Sequence, residues 1–180
     1  PHALKGICLV DGGFIEISKI PENTFSKALI SMAPPDFTNY TQSDFKERLN
    51  QRDWGEQDET SSAANLTEIV LSNFVLQPNG KIHPKFSRSN HMQVIEAFWN
   101  HQPSKLFSGI TCPVLYLPAR MPGNESQRNS MKDDMIRLAS KSLTTFNTIW
   151  LENSIHDVPI QKPELLSSII LSEIEKGFFD

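Results

Sequence analysis

The sequence predicts an α/β fold in which a parallel sheet is interrupted by a mostly helical insertion. From residue 113 onward, the pattern is strand, helix, strand and helix, an order typical of doubly wound parallel sheets. Residues 18–108 instead contain several amphipathic stretches and no clear buried strand. We therefore divide the chain into a sheet strand within residues 1–17, a helical insertion at 18–108, and a second sheet segment at 109–180.

Three short apolar runs predict the strands of the sheet. A near-continuous apolar run of four to eight residues suits a parallel strand that is covered on both faces. The runs occupy residues 4–11, which end at Gly12-Gly13, residues 113–119 and residues 148–151.

Two helices complete the predicted sheet segment. Residues 125–142 are polar and long enough for a helix. Residues 163–176 begin with Pro163, whose missing N–H costs nothing in a first helical turn. Leucine and isoleucine then recur at helical spacing, so this helix has one apolar face. Within the insertion, Asn79-Gly80 between apolar residues predicts a small hairpin at 74–82.

The composition excludes several classes of function. The chain has 180 residues, of which 38% are apolar and 21% charged, as in an ordinary folded domain. Its net charge of −4 gives no electrostatic basis for a nucleic-acid partner. No apolar run approaches the roughly 20 residues that span a bilayer, so we expect no membrane span. Cys8 and Cys112 lie in or beside apolar runs, which predicts buried free thiols and favours a cytoplasmic protein.

His156 is the strongest candidate for a catalytic residue. It follows a predicted strand across a short loop and precedes an amphipathic helix, and open α/β sheets place their sites at such strand ends. An imidazole there could serve as general base and then as general acid. The alternative is a loop histidine without a role.

Two carboxylates are candidates for the residue that orients this imidazole. Asp11 ends the first strand, and a carboxylate at that edge could hold the imidazole in its working tautomer. An aspartate before Gly-Gly is equally a good turn residue. After the second strand, the first carboxylate is Glu125, which could instead begin the following helix, where the helix dipole favours an acid.

The other histidines predict no metal site. His83, His91 and His101 have no ligand spacing with a supporting carboxylate. Neither common type of glycine-rich phosphate loop occurs. We therefore expect neither a metal nor a cofactor.

Three segments resemble the C-terminal part of α/β hydrolases. Residues 1–13 resemble the sixth strand of that family, and residues 110–119 resemble the seventh. Residues 153–159, continued by 163–166, resemble the loop of the catalytic histidine and the last helix. In that family, a cap domain is inserted between strands six and seven, which is the place of the helical insertion here.

The sequence departs from the family pattern at two points. It contains no Gly-x-Ser-x-Gly motif, so the resemblance places the nucleophile on a segment before Pro1. The family usually has its acid just after strand seven, where Met121 and Pro122 cannot serve. Some members, such as haloalkane dehalogenases, have the acid after strand six, and Asp11 matches that position. The resemblance therefore implies Asp11 as the acid, with Glu125 as the fallback.

The resemblance implies an esterase-type hydrolase with a Ser-His-Asp mechanism. A small, apolar ester is suggested by aromatic residues of the insertion, although these could equally pack its own core: Phe45, Trp54, Phe74, Phe98 and Trp99. The alternative is a non-catalytic protein of this fold that binds a ligand or a partner. As a fragment without the nucleophile, the chain alone should be inactive. We expect it to associate with the missing N-terminal half or with itself.

Overall fold

The computed structural model describes residues 4–59, 61–123 and 127–180. Its strands are β1 (Ile7–Val10), β2 (Phe74–Leu76), β3 (Ile82–Pro84), β4 (Val114–Leu117), β5 (Ala119–Arg120), β6 (Phe146–Thr148) and β7 (Leu151–Glu152). Its α-helices are α1 (Phe25–Ser31), α2 (Gln42–Asn50), α3 (Ala63–Leu71), α4 (Arg88–Asn100), α5 (Gln127–Ser142), α6 (Val158–Gln161) and α7 (Pro163–Glu175). Short 3-10 helices occupy Ile17–Lys19, Pro103–Lys105 and Phe107–Gly109.

The chain divides into two compact units. The sheet unit consists of Pro1–Ile15, Trp54–Ser61 and Gln102–Asp180, and the helical unit consists of Glu16–Asp53 and Ser62–His101. The predicted insertion at 18–108 differs from the helical unit at both ends, and it includes Trp54–Ser61, which belongs to the sheet unit. That the insertion is a cap stays a prediction.

The sheet unit is built on parallel strands in the order β1-β4-β6. The register pairs Ile7 with Val114 and Val114 with Phe146. A second parallel pair, β5 and β7, continues the same direction past Pro118. The predicted parallel α/β sheet is thus confirmed.

The predicted strand at 148–151 is wrong in its bounds, because it is divided into β6 and β7. The neighbouring strand contains Pro118, which has no N–H to donate to the ladder. Its carbonyl accepts a hydrogen bond from Leu151 N at 2.7 Å, and Ile149 N donates to Tyr116 O at 3.1 Å. The interruption on one strand therefore imposes a matching interruption on its neighbour.

Helices cover both faces of this sheet, as the continuous apolar runs predicted. Alternate residues of β4 point to opposite faces. One buried cluster lies against α5 and contains Phe14, Phe107, Val114, Tyr116, Met135, Ala139 and Leu143. The other lies against α6 and α7 and contains Leu115, Leu117, Ala119, Leu151, Val158 and Leu166. Strand β1 lies between these two clusters, with Ile7 and Leu9 packed against the first and Cys8 and Val10 against the second.

The helical unit contains α1 to α4 and the antiparallel hairpin β2–β3. The hairpin confirms the expectation for 74–82, and Gly80 adopts a φ of +79° in its turn, which favours glycine. Thr41 caps α2 through a reciprocal capping box with Asp44. Within the described part of the chain, no helix is both long and apolar enough to cross a membrane.

The two cysteines are free, as predicted, but they are half-buried rather than fully buried. Burial raises the pKa of the Cys8 thiol. This favours the protonated, unreactive form of that side chain.

Candidate active site

Asp11 stands directly after β1, at the carboxyl end of the sheet. Its backbone N–H donates to Leu117 O at 2.9 Å, which continues the β1–β4 ladder by one residue. Its φ of +45° lies in the left-handed region, which aspartate tolerates better than most residues. The chain therefore turns sharply at Asp11, and the side chain lies beside the end of the neighbouring strand. There, Ala119 N donates to Asp11 Oδ1 at 2.8 Å.

His156 lies in the loop between β7 and α6. Asn153 begins this loop with a φ of +53°, and Ser154 N donates to Arg120 O at 3.1 Å. The loop brings His156 Nδ1 to 2.8 Å from Asp11 Oδ2. The two residues are 145 positions apart in sequence, so this contact is produced by the sheet topology rather than by local structure.

The geometry of the Asp11–His156 pair suits proton transfer. When Nδ1–H donates to the carboxylate, the lone pair of the neutral ring lies on Nε2, which becomes the basic atom. The Asp11 side chain is 5% exposed and the His156 side chain 67% exposed. The carboxylate is therefore almost excluded from water, while the imidazole ring is accessible to solvent.

Lys132 makes a second contact with the same carboxylate. It extends from α5, and its Nζ lies 2.5 Å from Asp11 Oδ1 and 2.7 Å from Ala119 O. Its side chain is only 3% exposed. Sequence reasoning missed this residue, because a single lysine on a polar helix gives no local sign of burial.

The pKa of Asp11 reflects opposing influences. Burial, the largest influence, raises the pKa, since it disfavours the charged form. Hydrogen bonds from His156, Lys132 and Ala119 N, together with the charge of Lys132, lower it by more. The net result is a pKa below the ordinary value, so the carboxylate is ionised at neutral pH.

Gln161 holds the histidine loop in place and was also missed from the sequence. This fully buried side chain accepts a hydrogen bond from Ile155 N at 2.8 Å. Its Nε2 donates to Trp54 O at 2.8 Å and to Glu56 O at 2.9 Å. One amide thereby joins the residue before His156 to the segment Trp54–Ser61, which the sequence had assigned to the insertion.

The remaining sequence candidates are one carboxylate and three histidines. Glu125, the alternative acid, lies outside the described residues. His83, His91 and His101 lie in the helical unit. Among the residues that the structure describes, no group of three or more histidine, cysteine, aspartate or glutamate side chains is arranged to hold a metal ion.

Comparison with known proteins shows the fold. No protein-family model matches the sequence, and a search of curated proteins finds no significant match. Among solved structures, the chain is similar to the peroxisomal α/β-hydrolase Lpx1 of Saccharomyces cerevisiae, with a TM-score of 0.63 and 14% sequence identity. The alignment covers 99% of this chain and 48% of Lpx1, so the chain spans about half the length of that protein.

A second solved structure, that of E-2-(acetamidomethylene)succinate hydrolase, matches with a TM-score of 0.47 and 15% identity over 85% of this chain and 62% of that one. The similarity to Lpx1 confirms, at the level of fold, the resemblance inferred from the sequence: the chain has the fold of the α/β hydrolases.

Proposed function

We propose that this chain supplies the general base and the orienting acid of an esterase-type α/β hydrolase that acts on a small apolar ester. The observation that carries the proposal is the 2.8 Å contact between His156 Nδ1 and Asp11 Oδ2. An imidazole bonded through Nδ1 to a buried carboxylate, at the carboxyl ends of parallel strands, is an arrangement that orients the ring for general base catalysis.

In the proposed reaction, His156 Nε2 takes the proton of a serine hydroxyl as that oxygen attacks the ester carbonyl. The imidazolium that forms is stabilised by the Asp11 carboxylate. The bond between the carbonyl carbon and the alkoxide oxygen then breaks, and the imidazolium gives its proton to that oxygen. The alcohol leaves, and the acyl group remains bound to the serine. A water molecule repeats the sequence, so that the acid is released and both His156 and the serine are restored.

The serine would come from outside these 180 residues, since they contain no Gly-x-Ser-x-Gly motif. We propose the N-terminal part of the same protein as its source. In the described part of the sheet, β1 pairs with β4 on one side, so its other edge would accept a further strand. The chain expressed alone should therefore lack triad hydrolysis, and it should associate either with that part or with itself.

The helical unit contains a cavity of a size that could hold a small molecule. The cavity has a volume of about 920 Å³, and its lining combines apolar residues such as Phe37 and Phe74 with the charged residues Asp36 and Arg88. This volume falls in the range of small-molecule sites. Two of the aromatic residues that suggested an apolar substrate, Phe45 and Trp54, are buried and are explained by packing. Phe74 lines the cavity, and Phe98 is half exposed.

The test is hydrolysis of p-nitrophenyl esters of increasing chain length by the gene product that contains this chain. Asp11→Asn and His156→Ala should each lower kcat/KM by about 10³-fold or more, the usual weight of triad members. Asp134→Asn is the matched control, because Asp134 is 63% exposed and is paired with an exposed arginine. It should leave activity unchanged.

Two other outcomes would contradict the proposal in different ways. If activity survives Asp11→Asn but not His156→Ala, another residue is the acid, and Glu125 is the first to test. A wild-type protein that is folded but inactive on every ester would favour the alternative, a non-catalytic ligand-binding protein of the same fold.

A cytoplasmic location also remains a prediction. It is supported by the free state of Cys8 and Cys112.

A further inference from the structure

A buried lysine faces the proposed catalytic acid. The Asp11 carboxylate divides its contacts: Oδ2 meets the ring of His156, while Oδ1 accepts hydrogen bonds from Lys132 Nζ and Ala119 N. Lys132 and Asp11 are 3% and 5% exposed, so water screens their attraction little. Each is thus the counter-charge that makes burial of the other tolerable.

Lys132 changes the charge of the site in both protonation states of His156. With a neutral ring, the charges of Asp11, Lys132 and His156 sum to zero, because the ammonium cancels the carboxylate. With an imidazolium they sum to +1. Without the lysine, the same states would be −1 and zero, so protonation of the ring would be favoured by an uncompensated carboxylate.

We propose that Lys132 is a positioning residue that holds the Asp11 carboxylate toward His156 and, by neutralising its charge, keeps His156 a neutral base to lower pH. This inference rests on the proposed function of the Asp11–His156 pair. Lys132 itself touches no reacting atom, and it acts only through Asp11.

A purely structural role explains the ion pair less well. Helix α5 is already attached to the sheet through Met135 and Ala139, which belong to the buried cluster beneath it. Replacing a buried ion pair with apolar residues of similar volume is often neutral or stabilising. Stability alone therefore gives little reason to bury a lysine and an aspartate at this position.

Two other charged groups at this edge of the sheet, Arg120 and Glu152, form an ion pair. Arg120 on β5 makes a bidentate contact with Glu152 on β7, with its Nη2 2.6 Å from Glu152 Oε1. The negative charge of Asp133, next to Lys132 on α5, contributes to raising the pKa of Arg120. Trp150, whose ring centroid lies 6.0 Å from Lys132 Nζ, is uncharged. Within the described residues, the ionisable side chains that influence Asp11 directly are thus Lys132 and His156.

The main test uses Lys132→Gln, in which an amide retains hydrogen-bonding capacity but has no charge. In the gene product that contains this chain, the acid limb of the kcat/KM profile should move to higher pH by about one pH unit, the lower end of the effect of an adjacent charge. Lys132→Arg is the matched control, and it should keep the limb near its wild-type position. A folded Lys132→Gln protein with an unchanged limb would overturn the proposal, because a structural brace would affect stability alone.

A titration by NMR separates this proposal from the proposed function. The ring protons of His156, assigned with His156→Ala, should titrate at higher pH in Lys132→Gln than in the wild type, whether or not any ester is hydrolysed. If the wild type is inactive but the titration of His156 still moves to higher pH in Lys132→Gln, the esterase proposal is contradicted and the proposed role of Lys132 is supported.

One measurement needs no Lys132 variant. The NMR shift of the Asp11 carboxyl carbon, assigned with Asp11→Asn, reports the ionisation of this group. The carboxyl group should remain ionised below about pH 4, the ordinary range of an aspartate. Titration of Asp11 at or above that pH in the unmodified protein would overturn the proposal, even if Lys132→Gln failed to fold.

Discussion

Replacing Gln161 with methionine should destabilise the protein through a small, countable set of hydrogen bonds. Methionine has nearly the same length and fits an interior, so packing changes little. Three short hydrogen bonds are lost, from Ile155 N–H and to the carbonyls of Trp54 and Glu56, together with a longer one of 3.5 Å to Asn153 O. A buried polar group left without a partner costs about 1–3 kcal/mol. Water can reach part of this region, since Ile155 and Glu56 are not fully buried. We therefore expect a loss of about 2–5 kcal/mol in the free energy of unfolding, less than the full sum of the three.

Urea unfolding of wild type and Gln161→Met, followed by tryptophan fluorescence, measures this loss. Gln93→Met is the matched control, because Gln93 is exposed on α4, and its free energy of unfolding should change by less than about 0.5 kcal/mol. Ester hydrolysis by the gene product should also fall in Gln161→Met, since the loop carrying His156 loses its brace. A loss of less than about 1 kcal/mol would refute the reasoning, because the amide would then contribute no more than one average hydrogen bond.

Two further predictions concern Asp11 and Asp58. Because the pKa of Asp11 is lowered in the folded protein, its ionisation stabilises the fold above the unfolded pKa of about 3.9, and this contribution is lost as pH falls through the lower folded pKa. The free energy of unfolding should thus fall with decreasing pH more gently in Asp11→Asn than in wild type, and equal slopes would contradict this. Asp58 Oδ2 accepts from Glu164 N and Leu165 N at the start of α7, so Asp58→Ala should cost about 1 kcal/mol. Asp134→Ala, at an exposed site, is the control in the same urea experiment, and equal losses in the two variants would argue against a capping role.

The apolar runs predicted the sheet because burial on both faces leaves a local mark. Strand β4 is fully buried along its length, and its residues are all apolar or aromatic. Helix α7 was predicted over 163–176 and is observed at Pro163–Glu175, since its apolar spacing and initial proline are also local. The division of the third strand into β6 and β7 was not predictable in this way. Its cause is Pro118, which is on another strand and becomes a neighbour only after folding.

The same distinction applies to the site. Asp11 and His156 could be named because each follows a strand, and the ends of parallel strands meet at one edge. The partners that hold them could not be named. Lys132 and Gln161 are polar residues on helices, and such residues are usually exposed. Their burial depends on contacts that form only on folding, with backbone groups such as those of Ala119 and Trp54, which lie 13 and 107 positions away.

Lys132, which the sequence did not predict, favours the proposed catalytic role of this edge over simple ligand binding. A histidine that only lined a binding site would need neither a buried carboxylate on Nδ1 nor a lysine on the other oxygen of that carboxylate. Burying the Asp11–Lys132 pair removes two charges from water, and its attraction repays that cost only with good geometry and further hydrogen bonds. Both are present at Ala119, whose N–H and carbonyl bond to the aspartate and the lysine respectively. The result is a carboxylate of fixed orientation and lowered pKa behind an accessible imidazole. Proton transfer requires such a fixed orientation.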